Sequence, residues 1–231
     1  MYELHIANKN YSSWSLRPWV LMRELGIPFE ERLTPFLEDS DSGQFRSFSP
    51  SGRVPCLIDE ATRVWDSLAI TEYLAERHKE VWPQLSAART WARCAAAEMH
   101  SGFQALRSRC TMNCGLRLRL HTQSADLNVD IERIDALWLD GFARHGGPFL
   151  AGAAFSAVDA FFAPVAFRVQ TYGLPQSEPA TAYVARLLAL PSMMEWYQAA
   201  LRETWREAGH EAEAAAAGTV LADFRHLPLA D

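Results

Sequence analysis

The stretch NYSSWSLRPW, residues 10–19, puts three serines, two tryptophans, an arginine and a proline into ten positions. It follows the apolar run ELHIA (3–7) and precedes VLMREL (20–25), so it sits where a short strand hands over to a helix. Proline is tolerated in the first turn of a helix, where its missing N–H has no intrahelical partner. Pro18 therefore predicts an N-cap near Trp14 or Ser15, with Ser12 and Ser13 just ahead of the helix. Unpaired N–H groups and the positive end of the helix dipole point there, and such a place stabilises an anion. Ser12, Ser13 and Ser15 can equally serve only as caps and turn formers, and position alone does not choose.

Working outward, the first 80 residues read as mixed α/β. ELHIA is a strand, SLRPWVLMREL a helix stopped by Gly26 and Pro28, and FEERL alternates as a half-buried strand does. Residues 36–53 are polar and irregular, with room for one short helix. VPCLI and RVW are strands joined by DEAT, and SLAITEYLAERH is a helix capped by Asp66 or Ser67. The order is β-α-β-α-β-β-α over residues 1–80, and KEVWPQ is a linker.

From about residue 86 the chain becomes rich in Ala, Leu and Arg with helical periodicity and almost no strand signal. Helices are predicted over 87–109, 126–144, 156–171, 180–188 and 191–208, with HGGPFLAG as a break. Residues 87–231 therefore read as an all-α domain, and EAEAAAAG in the tail as a solvated helix end.

With 231 residues, 49% hydrophobic and 22% charged, the chain is an ordinary globular protein with material for a sizeable core. A net charge of −6 argues against nucleic acid or an anionic membrane as a main partner. No apolar run approaches a membrane span, and MYELHIANKN has no basic region followed by an apolar stretch, so no secretion signal is expected. Cys56, Cys94, Cys110 and Cys114 show no zinc-like pairing with histidines; reduced thiols, no metal and a cytoplasmic location are the expectation.

Two further features bear on the serines. Val54-Pro55 opens a strand, where an X-Pro bond that is cis would turn the Val54 backbone toward a bound molecule. In WDSLA, Asp66 and Ser67 sit at another helix N-terminus, as caps or as ligands for an ammonium and a carboxylate. Together, the β-α-β-α-β-β-α order, the VP opening the third strand and the acidic residue with Ser opening the third helix resemble the thioredoxin-like half of the glutathione transferases. FLAGAAFSAVDAFFAP in the helical half is similar to that family's capping-box segment, with Ser156 as cap and Asp159 three residues on. SSWSLR is closest to the SSCSWR pattern of the zeta class, which includes maleylacetoacetate isomerases.

The resemblance, which covers about residues 2–208, implies a homodimer and glutathione as co-substrate. It implies a hydroxyl, Ser12 with Ser13 close behind, donating a hydrogen bond to the glutathione sulfur. Donation alone suffices, because stabilising the thiolate lowers its pKa. Val54, with Pro55, would pair with the cysteinyl backbone of glutathione, Asp66 and Ser67 would hold the γ-glutamyl end, and Gln44 and Gln104 would complete the site. Arg17, matching the zeta arginine, and His100 are placed at the second-substrate pocket, each with a structural alternative. Where the zeta pattern has cysteine this chain has Trp14, whose indole is expected to reshape that pocket, to offer a stacking surface to flat electrophiles and to put isomerase activity in doubt. Three functions stay open: a transferase, a glutathione-dependent cis-trans isomerase, and a relative that binds ligands or partners without turnover.

Overall fold

A computed structural model describes residues 1–36 and 43–226 of the chain. Part of the irregular segment expected over 36–53 and the last five residues lie outside the described residues.

Strand β1 (Tyr2–Ile6) leads into α1 (Ser13–Glu24) and β2 (Phe29–Leu33); α2 (Gly43–Arg46) is a single turn, and β3 (Cys56–Asp59) and β4 (Thr62–Trp65) form a hairpin before α3 (Ser67–Ala75). The sheet order is β2-β1-β3-β4, with β1 parallel to β2 and antiparallel to β3. Parallel pairing of β1 and β2 requires a crossover, which α1 supplies. This is the thioredoxin-like arrangement expected from the element order. Leu4 and Ile6 of β1 and Leu57 of β3 are fully buried beneath Leu16, Val20 and Ile70 of the helices.

The second half is mostly helical: α4 (Ser86–Ser101), α5 (Gln104–Arg109), α6 (Ala125–His145), α7 (Ala157–Tyr172), α8 (Glu178–Leu188), α9 (Pro191–Arg202) and α10 (Ala208–Ala217). Helix α7 is buried along most of its length and packs against α1, α4 and α8. Its Phe161, Phe162 and Phe167 each contribute about 1.5–3 kcal/mol by leaving water.

Three expectations need correction. The helix predicted over 87–109 breaks at Gly102–Phe103: Phe103 is left-handed (φ 60°), and a Cβ on Gly102 would lie 2.9 Å from the Glu98 carbonyl oxygen. The second half is not all-α, because β5 (Leu116–Leu120) pairs antiparallel with β6 (Gly218–Asp223). LRLRL alternates with period two and buries Leu116 and Leu118 while its arginines point outward. The helix predicted over 191–208 ends at Arg202; EAEAAAAG is the largely exposed end of a further helix, α10, as expected, and the chain then continues as β6. Among the described residues no helix is long and apolar enough to cross a membrane.

Candidate functional site

The α1 N-terminus begins earlier than Pro18 suggests. Ser12 is the N-cap, its Oγ accepting from the Ser15 amide at 3.4 Å, and Pro18 lies inside the helix. Ser12 Oγ also donates to Ser15 Oγ at 2.7 Å, and Ser15 Oγ accepts the Ala7 amide at 3.3 Å. Ser12 is thus a cap, yet it and Ser13 also line a cavity of about 430 Å³, shared with Tyr11, Trp14, Phe36, Arg107, Thr111, Arg168, His210 and Glu213.

A second cavity of about 390 Å³ adjoins it, lined by Ser51, Pro55, Trp65, Asp66 and Ser67. Trp14, Arg53 and Val54 belong to both walls. The Val54–Pro55 bond is cis. Among the described residues neither the N–H nor the C=O of Val54 has a protein partner. Asp66 caps α3, its Oδ1 accepting from Leu68 N at 2.8 Å, in a left-sided conformation (φ 74°) that an L-residue adopts only at a cost. Ser67 Oγ is buried and, among the described residues, has no hydrogen-bond partner. A buried hydroxyl without a partner is costly, so a polar ligand in this cavity would satisfy it.

The loop that delivers Ser12 is held from the far half of the chain. Glu203 accepts from the amides of Lys9 (2.6 Å) and Asn10 (3.1 Å), Trp196 Nε1 donates to the Lys9 carbonyl (2.8 Å), and Asn10 bonds Asn113 and the Gly115 amide. Burial pushes the Glu203 carboxyl up to about 7, against the pull of the two amides and the charges of Lys9 and Arg206. Helix α10 forms one wall of the larger cavity: His210 stacks on Tyr11 (4.8 Å) and Phe36 (5.3 Å), and Tyr11 donates to Glu211 at 2.7 Å.

The remaining candidates separate. Trp14 stands at the junction of the cavities, and its ring packs against guanidinium groups, Arg17 at 4.3 Å and Arg107 at 4.8 Å, with His100 edge-on at 5.4 Å. The indole keeps 36% of its surface exposed, toward the two cavities it lines. Arg17 lies behind Trp14, fully buried, and also faces the Phe161 ring at 4.8 Å. His100 lines neither cavity; its Nε2 is 3.6 Å from Asp66 Oδ2. Burial lowers its pKa, with Arg17 and Arg107 adding to the effect and Asp66 opposing it. Gln44 and Gln104 are placed elsewhere: Gln44 donates to the Pro35 carbonyl at 3.1 Å, and Gln104, set at the start of α5 by the helix break, donates to Ser101 O at 3.3 Å. Among the described residues no cluster of His, Cys, Asp or Glu is arranged to hold a metal ion.

Sequence reasoning missed Arg168, the α10 residues and the Glu203 clamp. Arg168 had a readable signal, as the lone charge in AVDAFFAPVAFRVQTY beyond the capping aspartate. The contacts made by His210 and Glu203 depend on a chain reversal that no local pattern announces.

A thioredoxin-like sheet followed by a mostly helical second half is the arrangement of the glutathione transferase fold. Residues 11–77 match the sequence model of the glutathione S-transferase N-terminal domain. The dichloromethane dehalogenase of Methylorubrum extorquens is 38% identical over 58 residues, a match spanning 24% of this chain and only 20% of that protein. A glutathione transferase homologue from Burkholderia, solved with bound glutathione, superposes with a TM-score of 0.64 at 22% identity, covering 86% of this chain and 97% of its own. The theta class glutathione S-transferase of Xanthomonas axonopodis, also with glutathione bound, gives 0.62 at 21% identity over 85% of this chain and 96% of its own.

Proposed function

We propose that the protein is a glutathione transferase that binds glutathione in the smaller cavity and directs its thiolate at a small electrophile in the larger one. The observation that carries this reading is the position of Ser12: its hydroxyl lies at the α1 N-terminus, on the wall shared with Val54, whose free backbone groups open onto the cavity of Ser67. Glutathione laid with its γ-glutamyl end at Asp66 and Ser67 and its cysteinyl amide at Val54 brings sulfur toward Ser12. When Ser12 turns its proton to that sulfur, Ser15 at 2.7 Å can donate to Ser12 in turn, with the Ala7 amide behind it. A hydrogen bond to a charged group is worth about 1.5–3 kcal/mol, which corresponds to a thiol pKa lowered by about one to two units. The same reading takes the protein to act as a homodimer in the cytoplasm.

A second reading, cis-trans isomerisation by addition, rotation and release of glutathione, is favoured by the room beside Trp14, which the larger cavity leaves open. The test common to both is calorimetric titration with glutathione, followed by the ultraviolet titration of its bound thiolate. Binding with a thiol pKa below that of free glutathione, restored to the free value in Ser12→Ala, is the expected result. Absence of binding would remove both readings and leave a ligand- or partner-binding relative.

A further inference from the structure

We propose that the larger cavity selects an electrophile bearing a carboxylate, which is held by Arg107 and Arg168 while its reactive carbon faces Ser12; this rests on the glutathione transferase reading. Both arginines line the cavity, and both are anchored by backbone carbonyls rather than by acids. Arg107 donates through Nε to Gly102 O at 2.8 Å and through Nη2 to Met99 O and His100 O. Arg168, only 3% exposed, donates through Nε to Cys110 O at 2.8 Å and through Nη1 to Pro164 O at 3.3 Å. Among the described residues Nη1 of Arg107 and Nη2 of Arg168 have no protein partner. Arg17 adds a third guanidinium, buried behind Trp14, with one contact to Met99 O at 3.5 Å; among the described residues its Nε and Nη1 have no partner.

Among the described residues none of the three pairs with a carboxylate. Arg93, Arg109, Arg133 and Arg144, all at the surface, each do. Carbonyl dipoles orient a guanidinium but leave its net charge in place, and a buried charge without a counter-ion is costly. Of the opposing charges, Glu213 lines the same cavity from the exposed α10 wall, whereas Asp66, acting on Arg17, and Asp130, acting on Arg107, lie outside its lining. A cavity of about 430 Å³ lined by Arg53, Arg107 and Arg168 against the single carboxylate of Glu213 carries an excess of positive charge that concentrates small anions, and the guanidinium fork matches a carboxylate. Arg17 and Arg107 also pack against the Trp14 ring, so that guanidinium charge stands beside the indole at the cavity junction.

The test compares 4-chloro-3-nitrobenzoate with its methyl ester at saturating glutathione. In each, the sulfur–carbon bond forms, the carbon–chlorine bond breaks, chloride leaves with the electron pair and the thiol proton goes to solvent. With each rate divided by the uncatalysed one, kcat/KM should favour the acid about ten- to a hundredfold, the usual worth of a hydrogen bond to a charged group. Arg107→Gln and Arg168→Gln should each erase most of that preference. An equal or greater rate for the ester in wild type overturns the proposal. So does a variant that loses glutathione affinity while keeping the acid preference, which would assign the arginines to glutathione. Calorimetry on the wild-type protein with the inert pair 3-nitrobenzoate and 3-nitrobenzamide needs neither a folded variant nor glutathione. Tighter binding of the acid, weakened by salt, supports the anion site even if the transferase reading fails, and equal binding overturns it.

Discussion

Glu203 accepts the backbone amide of Lys9 at 2.6 Å across 194 residues of chain. Its other oxygen takes the Asn10 amide, so one carboxylate at the end of α9 fixes the turn that ends in Ser12. Position of the hydroxyl is therefore a property of both halves of the protein. Glu203→Ala strands two buried amides, each costing about 1–3 kcal/mol. Unfolding in urea should show a loss of about 2–5 kcal/mol, and turnover of the folded fraction should fall because the Ser12 turn loosens. A variant as stable as wild type would show that the Trp196 and Asn113 contacts hold the turn without it.

Stability from two buried carboxyls should fall as pH rises from about 4 to 7. Burial raises the Asp159 carboxyl from its ordinary 3.8 to about 6, and Glu203 reaches about 7 from 4.5. For a carboxyl raised in the folded state the native protein binds more protons than the unfolded chain, so its contribution is full below the unfolded value and is lost as pH climbs through the folded one. Each group contributes at most about 3 kcal/mol over its window. Carboxylates held low by ion pairs, such as Asp140 beside Arg144, act in the opposite direction at lower pH. The melting temperature measured from pH 4 to 8 should peak on the acid side of neutrality. A profile that does not fall between about 4 and 7 would mean that both groups are ionised at no cost to the fold.

Ser12→Ala should lower turnover about ten- to a hundredfold, by loss of a hydrogen bond to the thiolate, and should also cost about 1 kcal/mol of stability by loss of the α1 cap. Ser13→Ala removes no cap and should cost little of either. Steady-state kinetics and thermal melts of the two variants decide it: a large loss in Ser13→Ala alone moves the role to Ser13, and normal turnover in both excludes a serine.

Asp159 does more than close the capping box with Ser156. Its Oδ1 also accepts from Leu150 N at 3.0 Å and from Tyr183 OH at 2.9 Å, tying the loop before α7 and helix α8 to one buried carboxyl. Asp159→Ala should therefore cost well over a single cap, about 3–5 kcal/mol, since three buried donors lose their acceptor. Denaturant titration checks the size, and a loss near 1 kcal/mol would show that water replaces the carboxylate.

What the sequence made legible was local. SSWSLRPW, the Val54-Pro55 pair and WDSLA each carry their meaning within a few residues and yield the thioredoxin-like half, and the Ser156–Asp159 spacing does the same for the start of α7. The unreadable parts were contacts closed by distant chain. Leu116 and Leu118 form a strand because residues 218–223 return beside them, and Arg168 becomes a cavity wall because α5 and α10 come to meet it. Gln104 was displaced because Gly102 and a left-handed Phe103 end α4, an interruption that helical periodicity across 87–109 conceals.

Ser67 and Asp66 separate binding from stability. Ser67 Oγ is buried in the wall of the smaller cavity with no partner among the described residues, so it adds no hydrogen bond to the fold there. Removing such a group leaves no partner stranded and relieves its desolvation cost. Ser67→Ala should therefore keep or slightly raise the melting temperature while weakening glutathione binding about tenfold or more, as expected for a lost hydrogen bond to the γ-glutamyl carboxylate. Asp66 spends one oxygen on the Leu68 amide as the α3 cap, so Asp66→Ala should cost about 1 kcal/mol of stability as well as affinity. Calorimetric titration and thermal melts of the two variants give four numbers with a fixed pattern: affinity lost in both, stability lost only in Asp66→Ala. If Ser67→Ala binds glutathione as wild type does and melts at a lower temperature, the hydroxyl serves the fold, and the smaller cavity holds its ligand by other groups.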